Sequence, residues 1–210
     1  MKKIDRKAFF DTIRQKLFGG TLSTTQVTGI TTFLDYWEKN YGDADDRWLA
    51  YVLATAHHEV NQTFTPISEY GGDKYFFRMY DIEGDRPHVA KRLGNLAKGD
   101  GVLFHGRGFV QLTGRSNYAF WEKRVPSGDL TSNRAAADRV LEVGIATEII
   151  FEGMVEGTFT GKKLADYIAN VKQDYVNARR IINGVDKADL IAGYAKSYNN
   201  AISYETSLSA

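Results

Sequence analysis

The chain contains no cysteine. Disulfides and thiolate metal sites are therefore excluded, and cysteine usage says nothing about redox compartment. Proline is scarce, with 3 in 210 residues, and no low-complexity run occurs, so disorder is expected only at the termini. A dominant charge is missing too. The 27 basic and 26 acidic residues give a formal net charge of +1, which argues against a dedicated nucleic-acid binder, whose surface carries a basic excess. No apolar run approaches the about 20 residues that a membrane helix needs, so no membrane insertion is expected. The N-terminal Met1-Lys2-Lys3-Ile4 begins as a signal peptide does, but Asp5, Arg6, Asp11 and Arg14 interrupt the apolar region that should follow. The expectation is a protein synthesised in the cytoplasm without a signal peptide. No repeat and no linker-like stretch breaks residues 1–210, which read as one domain, and the 43% hydrophobic content suffices for a sizeable core.

Hydrophobic periodicity is mostly helical. Residues 5–18 place Phe9, Phe10, Ile13 and Leu17 near helical spacing, and Gly19-Gly20 stops them. Ser23 with Gln26 three residues later reads as a capping box opening a second helix, which Gly42-Asp43 ends. A third helix is expected from Asp43 or Asp45 to about Asn61, with Trp48, Leu49, Val52, Leu53, Ala56 and Val60 on its core face. Residues 62–114 carry many glycines and read as loops and short helical turns with at most a small β-hairpin near 102–112. Helices are predicted again over 116–124, 138–153, 163–172, 175–183 and 187–202. The fold class is mostly α, a helical base with a loop-rich middle.

Two segments carry the chemistry. In Ala54-Thr55-Ala56-His57-His58-Glu59, the carboxylate of Glu59 falls on the apolar face of the third helix. Carboxyls among apolar side chains resist ionisation and can serve as general acids. The alternative is a structural glutamate paired with Arg107 or Arg115 in the interior. The second segment, Phe104-His105-Gly106-Arg107-Gly108-Phe109-Val110-Gln111-Leu112-Thr113-Gly114-Arg115-Ser116-Asn117-Tyr118, is dense in glycine, which allows close approach of backbone or ligand. If extended, it puts Gln111 and Thr113 on one face, offering amide and hydroxyl groups to a hydroxyl-rich ligand such as a sugar. Asn117 follows close by.

Glycoside cleavage needs an acid to protonate the leaving oxygen and a second carboxylate. Glu69, in a loop after the third helix, ranks first as that partner, with Asp81 and Glu83 as alternatives and Asp85 further on. A metal site is not expected. A second histidine three residues after Glu59 would make a zinc-protease helix, but Gln62 stands there, and His88 and His105 lack a diagnostic spacing. Gly106-Arg107-Gly108 lacks the third glycine of a dinucleotide fingerprint, so no cofactor is expected. Arg107 and Arg115 read as structural partners of loop carbonyls or acids. Arg179, Arg180 and Asn183 read as a basic helix C-terminus with Asn183 near the cap.

Taken in order, these motifs resemble the family 19 glycoside hydrolases, the chitinases and related wall enzymes, and most of all their single-domain phage endolysin branch. The matching pieces are Ala56-His57-His58-Glu59, Pro66-Ile67-Ser68-Glu69-Tyr70-Gly71, Leu93-Gly94-Asn95, Gly99-Asp100-Gly101, Gly106 to Tyr118 and Arg180-Ile181-Ile182-Asn183-Gly184. The resemblance covers roughly residues 45–200. It implies a lysozyme-like, two-lobed helical fold and single-displacement cleavage with inversion. The family's acid maps onto Glu59. Glu69 falls at the spacing of the second carboxylate, though the intervening loop differs from the plant pattern, so Asp81 and Glu83 stay open. Thr113 matches the position that helps hold the attacking water. His58, Tyr70, Gln111, Asn117 and Asn183 match substrate-side positions. The expected partner is bacterial peptidoglycan, cleaved by a monomer after release from the cell. A chitinase, or a glycan-binding domain without catalysis, is the alternative.

Overall fold

The structure is a computed structural model that describes residues 2–126 and 128–206. Among these residues the fold is mostly helical. The helices are α1 (Arg6–Leu17), α2 (Thr24–Tyr41), α3 (Asp46–Glu59), α4 (Asp73–Tyr80), α5 (Pro87–Leu93), α6 (Asp100–Leu103), α7 (Arg115–Glu122), α8 (Arg134–Asp138), α9 (Val143–Glu156) and α10 (Ala188–Ala201). Two antiparallel pairs complete it: β1 (Ile67–Ser68) with β2 (Arg107–Gly108), and β3 (Ile168–Ala169) with β4 (Lys172–Gln173). None of the described helices is long and apolar enough to cross a membrane. The chain forms two compact units, one of Met1–Phe64 with Ile150–Ala210 and one of Thr65–Ile149.

In the first unit α3 is the central element. Leu49 to His57 are all buried, so the helix is enclosed on every side and not only along the stripe read from its periodicity. Three alanines, Ala50, Ala54 and Ala56, lie in this run and let neighbouring elements approach closely. α10 packs along α3, and α1 packs on α10. The two ends of the chain are joined by an Ile4–Tyr204 bridge, with the Asp5 amide donating to the Ser203 carbonyl at 2.8 Å. The expected capping box of α2 is present: the Ser23 hydroxyl accepts from the Gln26 amide, and the Gln26 side chain accepts from the Ser23 amide.

Three local readings need correction. The helix predicted over 163–172 is a 3-10 turn at Leu164–Asp166 followed by the β3–β4 hairpin, whose Asn170 is left-handed at φ 51°. Arg47 and the Trp48 indole donate to carbonyls of this hairpin, so tertiary contacts override its helical pattern. The span 175–183 forms only the 3-10 turn Asn177–Ile181. The span 138–153 is broken at Glu142, whose extended ψ of 125° separates the 3-10 turn Arg139–Leu141 from α9.

After α3 the chain turns sharply, with Asn61, Gln62 and Phe64 all left-handed at φ 47°, 66° and 51°. Phe64 then packs on Phe18, Phe33, His57 and Tyr198. Gly29 of α2 makes room for it, since a Cβ there would lie 2.2 Å from the Phe64 carbonyl oxygen. This lock fixes the end of α3, and hence Glu59.

His57 belongs to the same core. Its Nδ1 shares a hydrogen bond of 2.8 Å with the Tyr198 hydroxyl, and its ring centroid lies 4.2 Å from that of Tyr194. Nε2 is buried without a hydrogen-bond partner among the described residues. Burial, and secondarily the neighbouring His58 charge, hold this imidazole down to about 4 from its ordinary 6.5. Below the ordinary value the unfolded chain binds a proton that the folded chain refuses. Stability should therefore be complete above pH 6.5 and decline as pH falls toward 4. The expected slope is about 1.4 kcal/mol per pH unit. Urea midpoints measured across that window test it: His57→Gln, which does not titrate, should flatten the decline, and an unchanged slope would contradict the assignment.

Candidate active site

Glu59 is the last residue of α3. Its partner is Arg179, from the 3-10 turn Asn177–Ile181, whose guanidinium Nη1 donates to Glu59 Oε1. The Nε of Arg179 donates to the Asp186 carbonyl at 3.2 Å. The side chains are 4% exposed for Arg179 and 19% for Glu59, so the pair is largely withdrawn from solvent while the carboxylate keeps an accessible edge. This corrects two expectations. Glu59 pairs with neither Arg107 nor Arg115, and Arg179, although it stands in the last turn of its 3-10 helix as read, is buried against Glu59. A carboxylate in a buried helix needs a counter-charge, and Arg179 supplies it from 120 residues away.

The two arginines of the glycine-rich segment are structural, as read from the sequence. Arg107 is fully buried; it donates to Asp138 at 2.8 Å, to the carbonyls of Leu103 and His105 at 3.0 and 3.2 Å, and to the Tyr118 hydroxyl at 3.0 Å. Arg115 forks onto Asp100 at 2.9 and 2.6 Å, while Asp100 also accepts from the amides of Leu96 and Ala97. These contacts fold the segment onto its own unit and fix the backbone on which Gln111 and Thr113 stand.

The second unit assembles Glu69, Gln111 and Thr113. Glu69 follows β1, and its amide donates to the Gly106 carbonyl at 2.8 Å. Its Oε2 accepts from the Gly106 amide at 3.2 Å, and its Oε1 accepts from the Tyr80 hydroxyl at 2.8 Å. Burial and the adjacent Glu69 charge push the Tyr80 phenol well above its ordinary value, so it stays a donor. Beneath this strand, His105 stacks on Phe76 at 4.0 Å, bonds the Val102 carbonyl through Nδ1 at 2.7 Å and meets the Ser68 hydroxyl through Nε2 at 3.0 Å. Burial pulls His105 down, so the ring is neutral, with its Nδ1–H donated to the carbonyl.

Gln111 is not extended. It is left-handed at φ 53°, in a reversal closed by paired hydrogen bonds between Arg107 and Leu112. The shared face expected from strand alternation is absent, yet the side chains converge by another route. A Cβ on Gly106 would lie 2.9 Å from Gln111 Oε1, 3.1 Å from Glu69 Oε2 and 3.2 Å from Thr113 Oγ1. The Thr113 hydroxyl donates to the Gln111 carbonyl at 2.8 Å, which leaves its lone pairs as acceptors. Three acceptor oxygens thus surround the bare face of one glycine. Such a cluster favours O–H donors, whether a water or sugar hydroxyls. Asn117 supports it by donating to the Thr113 carbonyl at 2.7 Å, and Gln111 Nε2 donates to the Ile67 carbonyl at 3.2 Å.

Of the alternative bases, Asp81 is fully buried and clamps a loop. Its Oδ2 accepts from the amides of Gly99 and Gly101 at 2.8 and 3.1 Å, and its Oδ1 from that of Glu83 at 3.2 Å. These bonds correct its reading as a base, because they commit both oxygens to the fold. Glu83 pairs with Lys98 at 2.7 Å, and both side chains are more than half exposed, which makes it a surface charge. Tyr70, beside Glu69, is fully exposed. His58 is half-buried in the unit that holds Glu59, and Asn183 is exposed in that same unit. Among the described residues no group of three or more histidine, aspartate or glutamate side chains is placed to hold a metal ion.

The sequence reading missed Arg179, Tyr80 and the role of Gly106. No local pattern marks the first two. The third is a glycine whose importance lies in the three oxygens around it. Gly106→Ala should force those oxygens apart by a few tenths of an ångström. Because they are ends of movable side chains, the fold should stand. If the cluster acts on a substrate, misplacement on this scale should lower turnover by about tenfold to a hundredfold. Steady-state kinetics beside a melting curve check it, and unchanged turnover would show that the cluster is not used.

No family model matches the chain, and no curated protein matches it in sequence.

Proposed function

We propose that this chain is a glycoside hydrolase, of the family 19 endolysin type, that cleaves β-1,4 bonds of bacterial peptidoglycan at the muramic acid side with inversion. The observation that carries the reading is the acceptor cluster of Glu69, Gln111 and Thr113 about Gly106. Inverting hydrolysis needs a carboxylate that takes a proton from water together with neighbours that orient that water. Glu69 is the base, and Thr113 and Gln111 orient the water. Tyr80 holds the base in position. Glu59 is the acid that protonates the leaving oxygen. His58, Tyr70, Asn117 and Asn183 contact the sugar chain.

Digestion of purified peptidoglycan and of chitin, side by side, tests the substrate class. Soluble saccharides from peptidoglycan are expected. Products from chitin alone would make the enzyme a chitinase, and saccharide binding without cleavage of either polymer would make it a binding domain. Proton NMR of the first product tests the stereochemistry: the α-anomer should form first from a β-linkage, and an initial β-anomer would contradict inversion.

A further inference from the structure

The sequence contains a single Asn-Gly pair, Asn183-Gly184. Both residues are exposed. The Gly184 amide donates to the Oδ1 of Asn183 at 2.8 Å, and this is its one hydrogen bond among the described residues. Oδ1 is bonded to Cγ, so the contact holds the Gly184 nitrogen beside the carbon it would attack. Nothing lies within 4 Å of a Cβ built on Gly184, so the turn around the pair is uncrowded. The Asn183 amide is meanwhile anchored to the Arg179 carbonyl at 3.0 Å, which steadies the turn. Together these contacts keep the two reacting groups side by side in an exposed turn.

We propose that Asn183 is a site of spontaneous covalent modification, converting through a cyclic imide to aspartate and isoaspartate. The Gly184 amide gives its proton to hydroxide, and its nitrogen bonds to Asn183 Cγ. The Cγ–Nδ2 bond breaks as Nδ2 takes a proton from water, which regenerates hydroxide, and ammonia leaves. Water then opens the ring at either carbonyl, giving aspartate or the isoaspartyl linkage. No oxidant, metal or second protein is needed.

Three other asparagines are held in protective settings. Asn95 is buried, donates to the Tyr80 carbonyl at 2.9 Å and accepts from the Arg115 amide at 2.8 Å. Asn117 lies within α7 and precedes Tyr118. Asn133 caps α8 through its side chain and precedes Arg134. At Asn183 the product adds a negative charge one turn from Arg179, the partner of Glu59. On the functional reading Asn183 also contacts sugar, but the modification does not depend on that reading.

The test uses the full chain, incubated folded at mildly alkaline pH and digested with trypsin, which releases residues 181–187 as one peptide. Mass spectrometry should show that peptide gaining the mass of an amide-to-acid exchange, and isoaspartyl methyltransferase should label it. The rate should rise with pH and be at least that of the same segment in urea-unfolded chain. Gly184→Ala, which meets open space and should leave the melting temperature unchanged, should slow the conversion sharply, and Asn183→Gln should abolish it. An Asn183 peptide that stays intact in the folded chain while converting in the unfolded chain would overturn the proposal. Undiminished conversion in Gly184→Ala would overturn it too.

Discussion

Glu59→Gln should lower turnover by about a hundred- to ten-thousand-fold, the range that general acid–base groups contribute. Glutamine has the size and helix propensity of glutamate, so the end of α3 and the Phe64 lock behind it should be undisturbed. Its amide oxygen can still accept from Arg179, whose Nε keeps the Asp186 carbonyl. What it cannot do is deliver a proton. Arg179 loses its counter-charge, so some stability goes with the activity, up to about 3 kcal/mol for a buried charge left unpaired. Kinetics at a temperature well below the variant's melting transition, with circular dichroism on the same sample, separate the two effects. A folded variant that retains substantial turnover would remove Glu59 from the mechanism.

The reverse substitution has the larger effect on stability. Arg179→Met should destabilise the fold by about 3 kcal/mol, because it strands a carboxylate inside the structure. The edge that Glu59 keeps in solvent, 19% of its side chain, keeps the loss near the lower end of what buried pairs show. Glu59→Gln with Arg179→Met removes both charges and should recover most of that stability, so the coupling energy between the two sites should be at least about 2 kcal/mol. Urea denaturation of the four chains gives the cycle directly. Additive effects would mean that the pair does not act as one unit, and Arg179 would revert to an ordinary buried arginine.

Much of the helical scaffold was legible in the sequence because it rests on local rules. The capping box at Ser23, the stop at Gly19-Gly20, and the start of α3 at the Asp45 cap follow from side chains a few residues apart. The stretch 163–172 misled because its apolar spacing suits a helix, while Arg47 and Trp48, some 120 residues away, bind its carbonyls as a hairpin. The site divides the same way. Glu59 stood out as a carboxylate on an apolar face, and Glu69 by its spacing. Gln111 and Thr113 were chosen for alternation along a strand that does not exist. They meet because a left-handed residue at 111 turns the chain back on itself. Nothing local marks Tyr80, and the Arg179-Arg180 pair reads only as a basic helix end, because each side chain acquires its role from the carboxylate that folding places beside it.

The central claim is that Glu59 and Glu69 hydrolyse a glycosidic bond of the bacterial wall. The most direct measurement is mass spectrometry of purified peptidoglycan digested by the native chain and by Glu59→Gln, with borohydride reduction to mark each new reducing end. The account predicts reduced N-acetylmuramic acid ends with the native chain and none above background with the variant. Reduced N-acetylglucosamine ends would move the cleaved bond to the other side, and peptidoglycan left intact by the folded native chain would contradict the account.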